Sequence, residues 1–430
     1  MKVAPSNYSS AINSLWAKTA QSAPETLSLH NETKHADVVI IGAGFTGLRA
    51  AIELANKGRN VIVIEAGSVG WGASGRSGGQ VNPIMRLTSE RIAQEFGSTA
   101  ATRLIKATIN SADEVFDLIK QHNINCDAVQ KGWLQVAHCQ SAAKSLEQLA
   151  HDWESYGANI RVLGADEVCA QSGSTLYGAG LFHPQAGHLQ PLSYVRGLAK
   201  TALSKGVQIF THSAASSIKR AENQWEIQVG AAVLKSEYVL ICTNAYSSGL
   251  CKEIDNSYLP FTPIQLATEV LSPSLYEEIL PNDQTIADTR RLIFYGRKTA
   301  DGRLVFGGLG KSIYSQKDYA RIKNEAVRIF PQLKGVEWDY SWGGNIAMTE
   351  NSLPHIHDVA PGLLAAIGCN GRGVAMGTVM GRVLAEYVVE GAKELDVPVS
   401  AIKPIRLKSL KSAVIPYGLP ILGLLDSLDK

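Results

Sequence analysis

The sequence predicts a mixed α/β (α+β) protein, in which a Rossmann-like nucleotide-binding domain is interleaved with a second domain built on a mainly antiparallel sheet. Three observations predict this fold. A strand, a glycine-rich turn, a helix and a second strand follow one another over residues 36–65. Further apolar runs typical of buried parallel strands recur at 238–242 and 363–368. Between these runs lie alternating and helical segments, which we assign to another layer.

The composition limits the classes of function. Hydrophobic residues make up 45% and charged residues 19% of the 430 residues, a globular balance that excludes a disordered or coiled-coil chain. The net charge of +2, without a basic stripe, argues against nucleic acid as a partner. The six cysteines show neither C-x-x-C nor zinc-finger spacing, so we expect reduced thiols, no metal site and a cytoplasmic location. Neither a signal peptide nor a transmembrane segment is expected from the pattern of apolar residues.

The first predicted elements of the chain form a βαβ unit. The apolar run Ala36–Ile41 predicts a buried strand, and Asn60–Glu65 predicts a second one. Between the strands, apolar residues recur at helical spacing from Leu48 to Ala55, and Gly58 is a typical helix stop. This order of elements is the one that holds nucleotides in doubly wound proteins.

The remaining elements follow from the same patterns. Helices are predicted over residues 98–122, 141–157, 190–206 and 374–390. Strands are predicted over residues 207–210, 225–229, 238–242, 264–272, 292–309, with a turn at Asp301-Gly302, and 363–368. The predicted divisions are an N-terminal arm on the surface (1–35), a discontinuous nucleotide-binding domain (36–90, 188–253 and 351–392), a substrate domain (91–187 and 254–350) and a C-terminal extension (393–430).

The strongest motif is a G-x-G-x-x-G turn formed by Gly42, Gly44 and Gly47. It follows a predicted strand and opens a predicted helix, the context in which this motif binds a dinucleotide. The first glycine permits the tight turn, the second lets backbone approach a pyrophosphate, and the third allows helix and strand to pack closely. Glu65 ends the second strand, where its carboxylate can accept a ribose hydroxyl. The motif alone fits either NAD or FAD.

Two further glycine-rich segments favour a flavin. Gly70–Gln80 contains five glycines, and we expect it to lie along an extended dinucleotide and to approach a flavin ring. Gly368–Gly377 joins a buried strand to a helix and offers a second glycine-lined helix N-terminus. Such an N-terminus stabilises the negative charge of a reduced flavin, and Arg372 is expected to add to this effect. An NAD-dependent dehydrogenase leaves both segments unexplained.

Together these motifs resemble the D-amino-acid oxidase, glycine oxidase and sarcosine oxidase superfamily of FAD enzymes, and within it the γ-glutamylputrescine oxidase-like branch. The resemblance covers nearly the whole chain, and its motifs occur in the same order. They are Tyr8, Gly42–Gly47, Gly72–Gly79, Ala186–Leu192, Thr243–Tyr246, Asp301–Gly308, Phe330–Leu333, Trp342–Gly344 and Gly368–Gly377.

The resemblance implies a two-domain flavoenzyme that oxidises the C–N bond of an amine or amino acid. Hydride would pass to flavin N5, the imine would hydrolyse, and oxygen or another acceptor would reoxidise the flavin. This chain departs from its relatives in carrying Arg372 where they have histidine, and the strand 263–269 lacks the oxygen-activating lysine of sarcosine oxidases. The stretch 345–349 lacks the cysteine that tethers FAD in those enzymes, so non-covalent FAD is expected.

The resemblance also suggests site residues. Arg297 is expected to hold a substrate carboxylate or amide, with a structural salt bridge as the alternative. Tyr295 is expected to line the pocket or to pack in the core, and Trp71 to border the flavin. Arg372 is expected to lie beside the flavin, with a surface arginine at a helix start as the alternative. His188 is expected to line the pocket or to make a structural hydrogen bond. The residues assigned to the cofactor are Gly42, Gly44, Phe45, Thr46, Gly47, Glu65, Ala66, Gly72, Ala73, Ser74, Arg76, Ser77, Gly78, Gly79, Gln80, Ala215, Thr243, Asn244, Ala245, Gly343, Asn370, Gly371, Arg372, Gly373, Val374 and Ala375.

The C-terminal stretch Ala413–Leu425 is apolar and is interrupted by Pro416 and Pro420. It is too short to span a bilayer, so it packs on the protein's own surface or contacts a membrane surface or a subunit.

Other classes of function stay open on the sequence. An amino-acid dehydrogenase that passes electrons to a quinone or a partner subunit, and a non-catalytic flavoprotein subunit, share these motifs. A disulfide reductase-type flavoprotein lacks support because the chain has no redox cysteine pair. Small secondary amines, amino acids and γ-glutamylated polyamines all stay candidate substrates.

Overall fold

The computed structural model describes residues 14–247 and 249–429, which fold around two large β-sheets. The helices of these residues are α1 (Leu15–Thr19), α2 (Phe45–Asn56), α3 (Ser89–Phe96), α4 (Ser98–Gln121), α5 (Gln140–Glu154), α6 (Ala165–Ser172), α7 (Pro191–Ser204), α8 (Lys252–Asp255), α9 (Pro273–Glu278), α10 (Gln316–Ile329), α11 (Ala375–Glu390) and α12 (Lys408–Leu428). The strands are β1 (Thr33–Ile41), β2 (Val61–Ile64), β3 (Gln80–Val81), β4 (Trp133–Val136), β5 (Arg161–Gly164), β6 (Ala179–His183), β7 (Gly187–His188), β8 (Gln208–Phe210), β9 (Ala215–Ala221), β10 (Gln224–Val229), β11 (Ala232–Ile241), β12 (Leu259–Thr268), β13 (Thr285–Asp288), β14 (Phe294–Lys298), β15 (Leu304–Gly310), β16 (Trp338–Gly343), β17 (Ile346–Met348), β18 (His355–Ala360) and β19 (Leu363–Ile367).

The first sheet is built around β1, which lies between β2 and β11 and runs parallel to both. Its strand order is β18-β19-β11-β1-β2-β8, and β10 and β9 extend it from β11 in antiparallel pairing. Val38 and Ile40 belong to the core that the helices α2 and α11 share, whereas Val39 and Ile41 belong to a core on the other face. Both faces of the C-terminal half of β1, residues 38–41, are therefore buried, which explains why this part of the strand is a continuous apolar run.

The second sheet has the order β16-β12-β15-β14-β13-β4-β6-β5 and is antiparallel except where β13 pairs with β4. The hairpin of β14 and β15 turns at Gly302, whose φ of +83° suits glycine, and this is the turn that the sequence predicts. The small strands β3 and β7 form a separate ribbon in which Gln80 pairs with His188.

The predicted fold class is confirmed: the protein is a mixed α/β structure with one largely parallel and one largely antiparallel sheet. Strands of the first sheet come from residues 33–64, 208–241 and 355–367, and those of the second from 133–183 and 259–348. The strands of the two sheets therefore alternate along the chain, and the bounds of two interleaved domains stay a prediction.

The N-terminal segment differs from the surface arm that we predicted. Its first thirteen residues, with Tyr8, lie outside the described residues. From α1 onward the chain enters the core, because Leu15 and Trp16 are buried. The Trp16 indole donates a hydrogen bond to the Ser77 carbonyl oxygen at 2.8 Å and packs edge-on against Trp342. This segment therefore supports the glycine-rich loop.

The C-terminal stretch also differs from its prediction. The sequence predicts an interruption at Pro416 and Pro420, whereas the structure has one helix, α12, that contains both prolines. Each proline removes a helical N–H donor, and tertiary packing holds the helix instead. Leu419 and Asp426 are buried, and the Asp426 carboxylate accepts two backbone N–H groups of the loop before β14. Neither α12 nor any other helix of the described ranges is long and apolar enough to cross a bilayer.

Candidate active site

A cavity of about 700 Å³ runs from the carboxyl ends of the central parallel strands to the second sheet. At one end its wall includes Ile41 and Ile64, the last residues of β1 and β2. At the other end its wall includes Gln265 of β12 and Tyr295 of β14. Ligands of open parallel sheets bind beyond the carboxyl ends of the strands, so this cavity is the candidate site.

The G-x-G-x-x-G turn forms the first wall of the cavity. Gly42 has a φ of +110°, and a Cβ there would lie 2.9 Å from the Cys242 carbonyl oxygen. A Cβ on Gly44 would lie 2.8 Å from Ser74 Oγ. Gly44 is also the N-cap of α2 and provides no capping side chain. Ser74 Oγ accepts the Phe45 N–H at 3.1 Å, and the glycine leaves this helix N-terminus beside the cavity, the arrangement that suits a phosphate group.

Gly47 does not reach the cavity. A Cβ on it would lie 2.1 Å from the Gly42 carbonyl oxygen and 3.2 Å from a methyl group of Ile40. Gly47 therefore permits the close helix–strand packing that the motif predicts. Contrary to our prediction from the sequence, it does not contact the cofactor space, and it acts only by holding the turn in place.

Glu65 lies on the wall at the end of β2, as the sequence predicts. Its carboxylate accepts the backbone N–H groups of Ala43 and Gly67, each at 2.9 Å. Burial raises the pKa of this carboxyl, while the backbone hydrogen bonds oppose the rise. Ser213, Ala214 and Ala215 complete this end of the cavity. The carboxylate thus ties the glycine turn to the next loop and faces the cavity.

The glycine-rich loop holds an aromatic and cationic cluster against the cavity. The Arg76 guanidinium lies 4.3 Å from the centroid of the Trp71 ring and donates to the Trp71 carbonyl oxygen at 2.7 Å. The Trp71 ring packs edge-on against Tyr246, whose hydroxyl accepts the Asn345 N–H at 2.9 Å. All but Asn345 line the cavity.

The loop before α11 forms the facing wall. Asn370, in the left-handed conformation with φ +49°, accepts the Thr349 N–H at 3.0 Å through its side-chain oxygen. Gly371, Arg372, Gly373 and Val374 follow it along the wall, and Val374, the N-cap of α11, provides no capping side chain. A second helix N-terminus is therefore accessible from the cavity, as the sequence predicts.

We name the end of the cavity under the second sheet the substrate chamber and define it by Arg86, Trp133, Gln265, Tyr295 and Arg372. The Gln265 side-chain amide donates to the Tyr295 hydroxyl at 2.7 Å, and burial raises the pKa of Tyr295. The other amide atom, Gln265 Oε1, is buried without a hydrogen-bond partner. A buried polar atom without a partner is costly unless a ligand or water satisfies it.

Two guanidinium groups face the substrate chamber. Arg86 donates to the Asp288 carbonyl oxygen, and Arg372 donates through Nε to the Ile84 carbonyl oxygen. Burial lowers the pKa of Arg372, and the nearby charge of Arg86 lowers it further. In the described part of the wall the one carboxylate is Glu65, which belongs to the opposite end. The substrate chamber is therefore positively charged.

The structure corrects the assignment of Arg297 and His188 to the substrate, because neither side chain lines the cavity. The buried Arg297 guanidinium donates to the carbonyl oxygens of Gly78, Leu189 and Lys298 at 2.7–2.9 Å. His188 is also buried, and its Nε2 lies 3.2 Å from the Asp283 carbonyl oxygen. Both side chains hold loops together behind the wall.

Three further residues assigned to the cofactor lie off the wall: Ala245, Gly343 and Ala375. A Cβ on Gly343 would lie 2.7 Å from the Pro263 carbonyl oxygen, so this glycine serves strand packing, and its neighbour Gly344 reaches the cavity. Residues that line the cavity without a role predicted from the sequence include Asn82, Arg86, Leu87, Trp133, Gln265, Arg290, Arg291, Ile346 and Leu422. None of them stands in a motif, although Arg86 follows the glycine-rich loop by six residues.

Comparison with known proteins gives a consistent result. The sequence model described as "DAO: FAD dependent oxidoreductase" matches residues 37–387. The chain is 36% identical over 374 residues to "Probable oxidoreductase OrdL" of Haemophilus influenzae, and the aligned residues cover 85% of this chain and 86% of that protein. It is 30% identical over 372 residues to "Gamma-glutamylputrescine oxidoreductase" of Escherichia coli, with the same coverage of 85% and 86%.

Solved structures show the same fold. Glycine oxidase from Geobacillus kaustophilus superimposes with a TM-score of 0.72 at 20% identity, over 86% of this chain and 100% of that one. L-proline dehydrogenase from P. horikoshii superimposes with a TM-score of 0.72 at 19% identity, over 84% of this chain and 96% of that one.

Proposed function

The chain belongs to the FAD-dependent oxidoreductase family that acts on amines or amino acids, and we propose that it oxidises the C–N bond of a primary or secondary amine of the γ-glutamylputrescine or amino-acid type. One observation carries the proposal. A single cavity joins a dinucleotide end, with two accessible helix N-termini, to a positively charged substrate chamber under the second sheet.

The residues on the wall fit FAD. A Cβ at Gly44 would occupy the space where backbone approaches a pyrophosphate, and the N-terminus of α2 offers its dipole there. Glu65 would accept a ribose hydroxyl, and Arg76, Gln80 and the loop before α11 would hold the flavin end. Bound at this place, FAD would supply the hydride acceptor for the reaction.

Non-covalent binding is part of the proposal. The cysteines of the described wall are Cys242 and Cys369. Burial raises the pKa of Cys242 to about 12 and also raises that of Cys369, so neither is a reactive thiolate at neutral pH. All six cysteines are free thiols, which favours a reducing, cytoplasmic compartment.

The substrate chamber can select and orient an amine. Only the neutral amine can release a hydride, because its nitrogen lone pair must assist, and enclosure by the protein disfavours the ammonium form. An amine N–H can donate to the unpartnered Oε1 of Gln265. The Tyr295 hydroxyl accepts from Gln265 and keeps its own proton for donation to the substrate. Arg86 and Arg372 would bind a substrate carboxylate, since arginine offers paired donors to that group.

Oxygen or another acceptor would take the electrons onward, and a quinone or partner-subunit acceptor is the alternative. The apolar helix α12 supports this alternative, because its Leu422 lines the cavity and its surface can contact a membrane or a subunit. A non-catalytic flavoprotein subunit is the remaining alternative.

The test uses the purified flavoprotein without oxygen and a panel of γ-glutamylputrescine, putrescine, sarcosine, glycine, proline and D-amino acids. We expect the amines that carry a carboxylate to bleach the oxidised flavin, and subsequent admission of air or of a quinone analogue to restore its colour. Acid precipitation should release the flavin into the supernatant. A yellow protein that none of these amines bleaches would favour the non-catalytic alternative, and a protein that cannot be loaded with FAD would contradict the proposal.

A further inference from the structure

The helix α12 carries an unusual surface. In the described residues, eight of the fourteen exposed large apolar side chains belong to α12 or to Leu407, which precedes it. Six of them recur at alternating intervals of four and three residues and are 53–75% exposed. They are Leu410, Val414, Tyr417, Ile421, Leu424 and Leu428. Residues at this spacing lie along one face of a helix, so they form a continuous apolar stripe. We name these six residues the α12 stripe.

The opposite face of α12 fixes the helix to the protein. Leu419 is buried, Leu422 lines the cavity, and Asp426 accepts backbone N–H groups of Arg291 and Leu292 at 3.0 Å. The α12 stripe is therefore held in a fixed orientation outward. Exposed apolar patches of this kind mark contact surfaces in folded proteins.

Charge indicates what covers the stripe. Lys403, Arg406, Lys408 and Lys411 lie at the N-terminal end of α12, and no Asp or Glu occurs between Lys408 and Leu425. Cations at a helix N-terminus oppose the helix dipole, so helix stability does not account for them. Two of them meet carboxylates, Lys403 at Glu95 and Lys411 at Glu350, in exposed ion pairs of the kind that contribute little.

The acidic residues at the other end of α12 are already engaged. Asp426 binds the Arg291 guanidinium at 3.0 Å as well as the backbone, and Asp429 binds the same guanidinium at 2.5 Å. A second copy that packed antiparallel on the α12 stripe would thus offer these cations no free carboxylate from its own α12 or from Asp429. Anionic lipid headgroups supply such charges, and an apolar helix face flanked by cations is the pattern of a helix that lies in the membrane interface.

We propose that α12 docks this protein on an anionic lipid surface. The stripe enters the interface between headgroups and acyl chains, and Lys403 and Arg406 contact lipid phosphates. Tyr417, with an apolar ring and a polar hydroxyl, lies in the middle of the stripe and suits that interface. Lys311 lies 5.8 Å from the centroid of the Tyr417 ring and adds a further cation beside the stripe. Docking would place the lipid headgroups next to the side of the cavity that Leu422 lines.

The test measures co-sedimentation of the full-length protein with vesicles of phosphatidylcholine alone or mixed with phosphatidylglycerol. We expect binding to the anionic vesicles that weakens as salt increases. The double variant Ile421→Asp/Leu424→Asp should lose roughly ten-fold or more of this binding, and Lys403→Gln/Arg406→Gln should lose its preference for anionic vesicles. The matched control Val162→Asp changes an exposed apolar residue of the edge strand β5 and should bind as the original protein does.

Flavin content and amine-dependent bleaching should be unchanged in Ile421→Asp/Leu424→Asp, so a failure of the proposed reaction is distinguished from a failure of docking. Absent binding to both kinds of vesicle would overturn the proposal, as would equal binding by the double variant. A dimer that forms without lipid and that the double variant abolishes would show that a second copy covers the stripe, which also overturns it.

Discussion

The Arg297 guanidinium lies 4.7 Å from the centroid of the Trp16 ring. A side chain of the second sheet thus stacks on one from the first described helix, and both contact the glycine-rich loop, Arg297 at Gly78 and Trp16 at Ser77. The pair therefore anchors the loop that forms one wall of the cavity from behind.

Replacing Arg297 with Gln should destabilise the protein rather than weaken substrate binding. Three buried carbonyl oxygens lose a charged donor, and we expect a loss of about 2–3 kcal/mol in the free energy of unfolding. Thermal unfolding of the flavin-loaded protein checks this. Arg161→Gln, which removes an exposed guanidinium that stacks on Phe182, is the control and should cost at most about 1 kcal/mol. If Arg297→Gln had normal stability and a raised KM, Arg297 would instead be a substrate-binding residue.

Replacing Gly44 with Ala should reduce flavin retention. The added Cβ would lie 2.8 Å from Ser74 Oγ and would crowd the helix N-terminus at which we propose that the pyrophosphate binds. We expect the affinity for FAD to fall about ten-fold or more, measured as flavin bound per protein after dialysis. Gly178→Ala, at a glycine with no atom within 4 Å of the added Cβ, should retain FAD fully. Equal retention by both variants would argue against the proposed pyrophosphate position.

Replacing Arg86 or Arg372 with Gln should weaken the binding of amines that carry a carboxylate more than the binding of neutral amines. Each loss removes charge-assisted hydrogen bonds of about 1.5–3 kcal/mol, so KM for an amine with a carboxylate should rise about ten- to hundred-fold. A neutral amine such as benzylamine, tested on the same variants, serves as the internal control and should show little change in KM. A uniform loss across charged and neutral amines would show that these arginines act on the flavin site instead.

His183 should make the protein sensitive to acid. Its ring stacks on Trp133 with centroids 4.7 Å apart, and burial lowers its pKa to about 3. In the unfolded chain histidine takes up a proton below about pH 6.5, whereas the folded protein resists protonation there. The contribution of His183 to the free energy of unfolding is therefore fully present above about pH 6.5, and it is lost as the pH decreases toward 3.

His183→Phe preserves the stack on Trp133 and removes the titrating group. The difference in Tm between pH 7 and pH 5 should therefore be smaller in His183→Phe than in the original protein, in differential scanning fluorimetry. His355, with a pKa lowered to about 4 by burial and by His357, still titrates and leaves a residual acid sensitivity. An unchanged pH dependence would show that His183 is accessible to protons in the folded state.

The nucleotide end of the cavity could be predicted from sequence because its residues come from short continuous segments. The spacing of Gly42, Gly44 and Gly47 specifies a backbone path, and the apolar run before it specifies the strand. The wall around Asn370 to Val374 follows from the same logic, a glycine-lined turn between a buried strand and a helix.

The substrate chamber could not be predicted in the same way, because it assembles from residues that are far apart in sequence. Gln265 and Arg86 carry no local pattern that places them together. Tyr295 and Arg297 lie two residues apart on β14 and so on one face of the strand, yet only Tyr295 lines the cavity. Carbonyl oxygens of Gly78 and Leu189 draw the Arg297 side chain away from it, which only the tertiary structure reveals.

The pairing of β1 with β11 has a consequence for biosynthesis. Val39 pairs with Val239, and the wall of the cavity extends from Ile41 to Leu422. A nascent chain emerges from the ribosome with its N-terminal part first, so β1 waits for β11 until the strands β4, β5 and β6 of the second sheet have been made. The wall of the cavity is therefore complete only once the chain up to Leu422 has left the ribosome, and we expect the site to accept FAD only at the very end of synthesis.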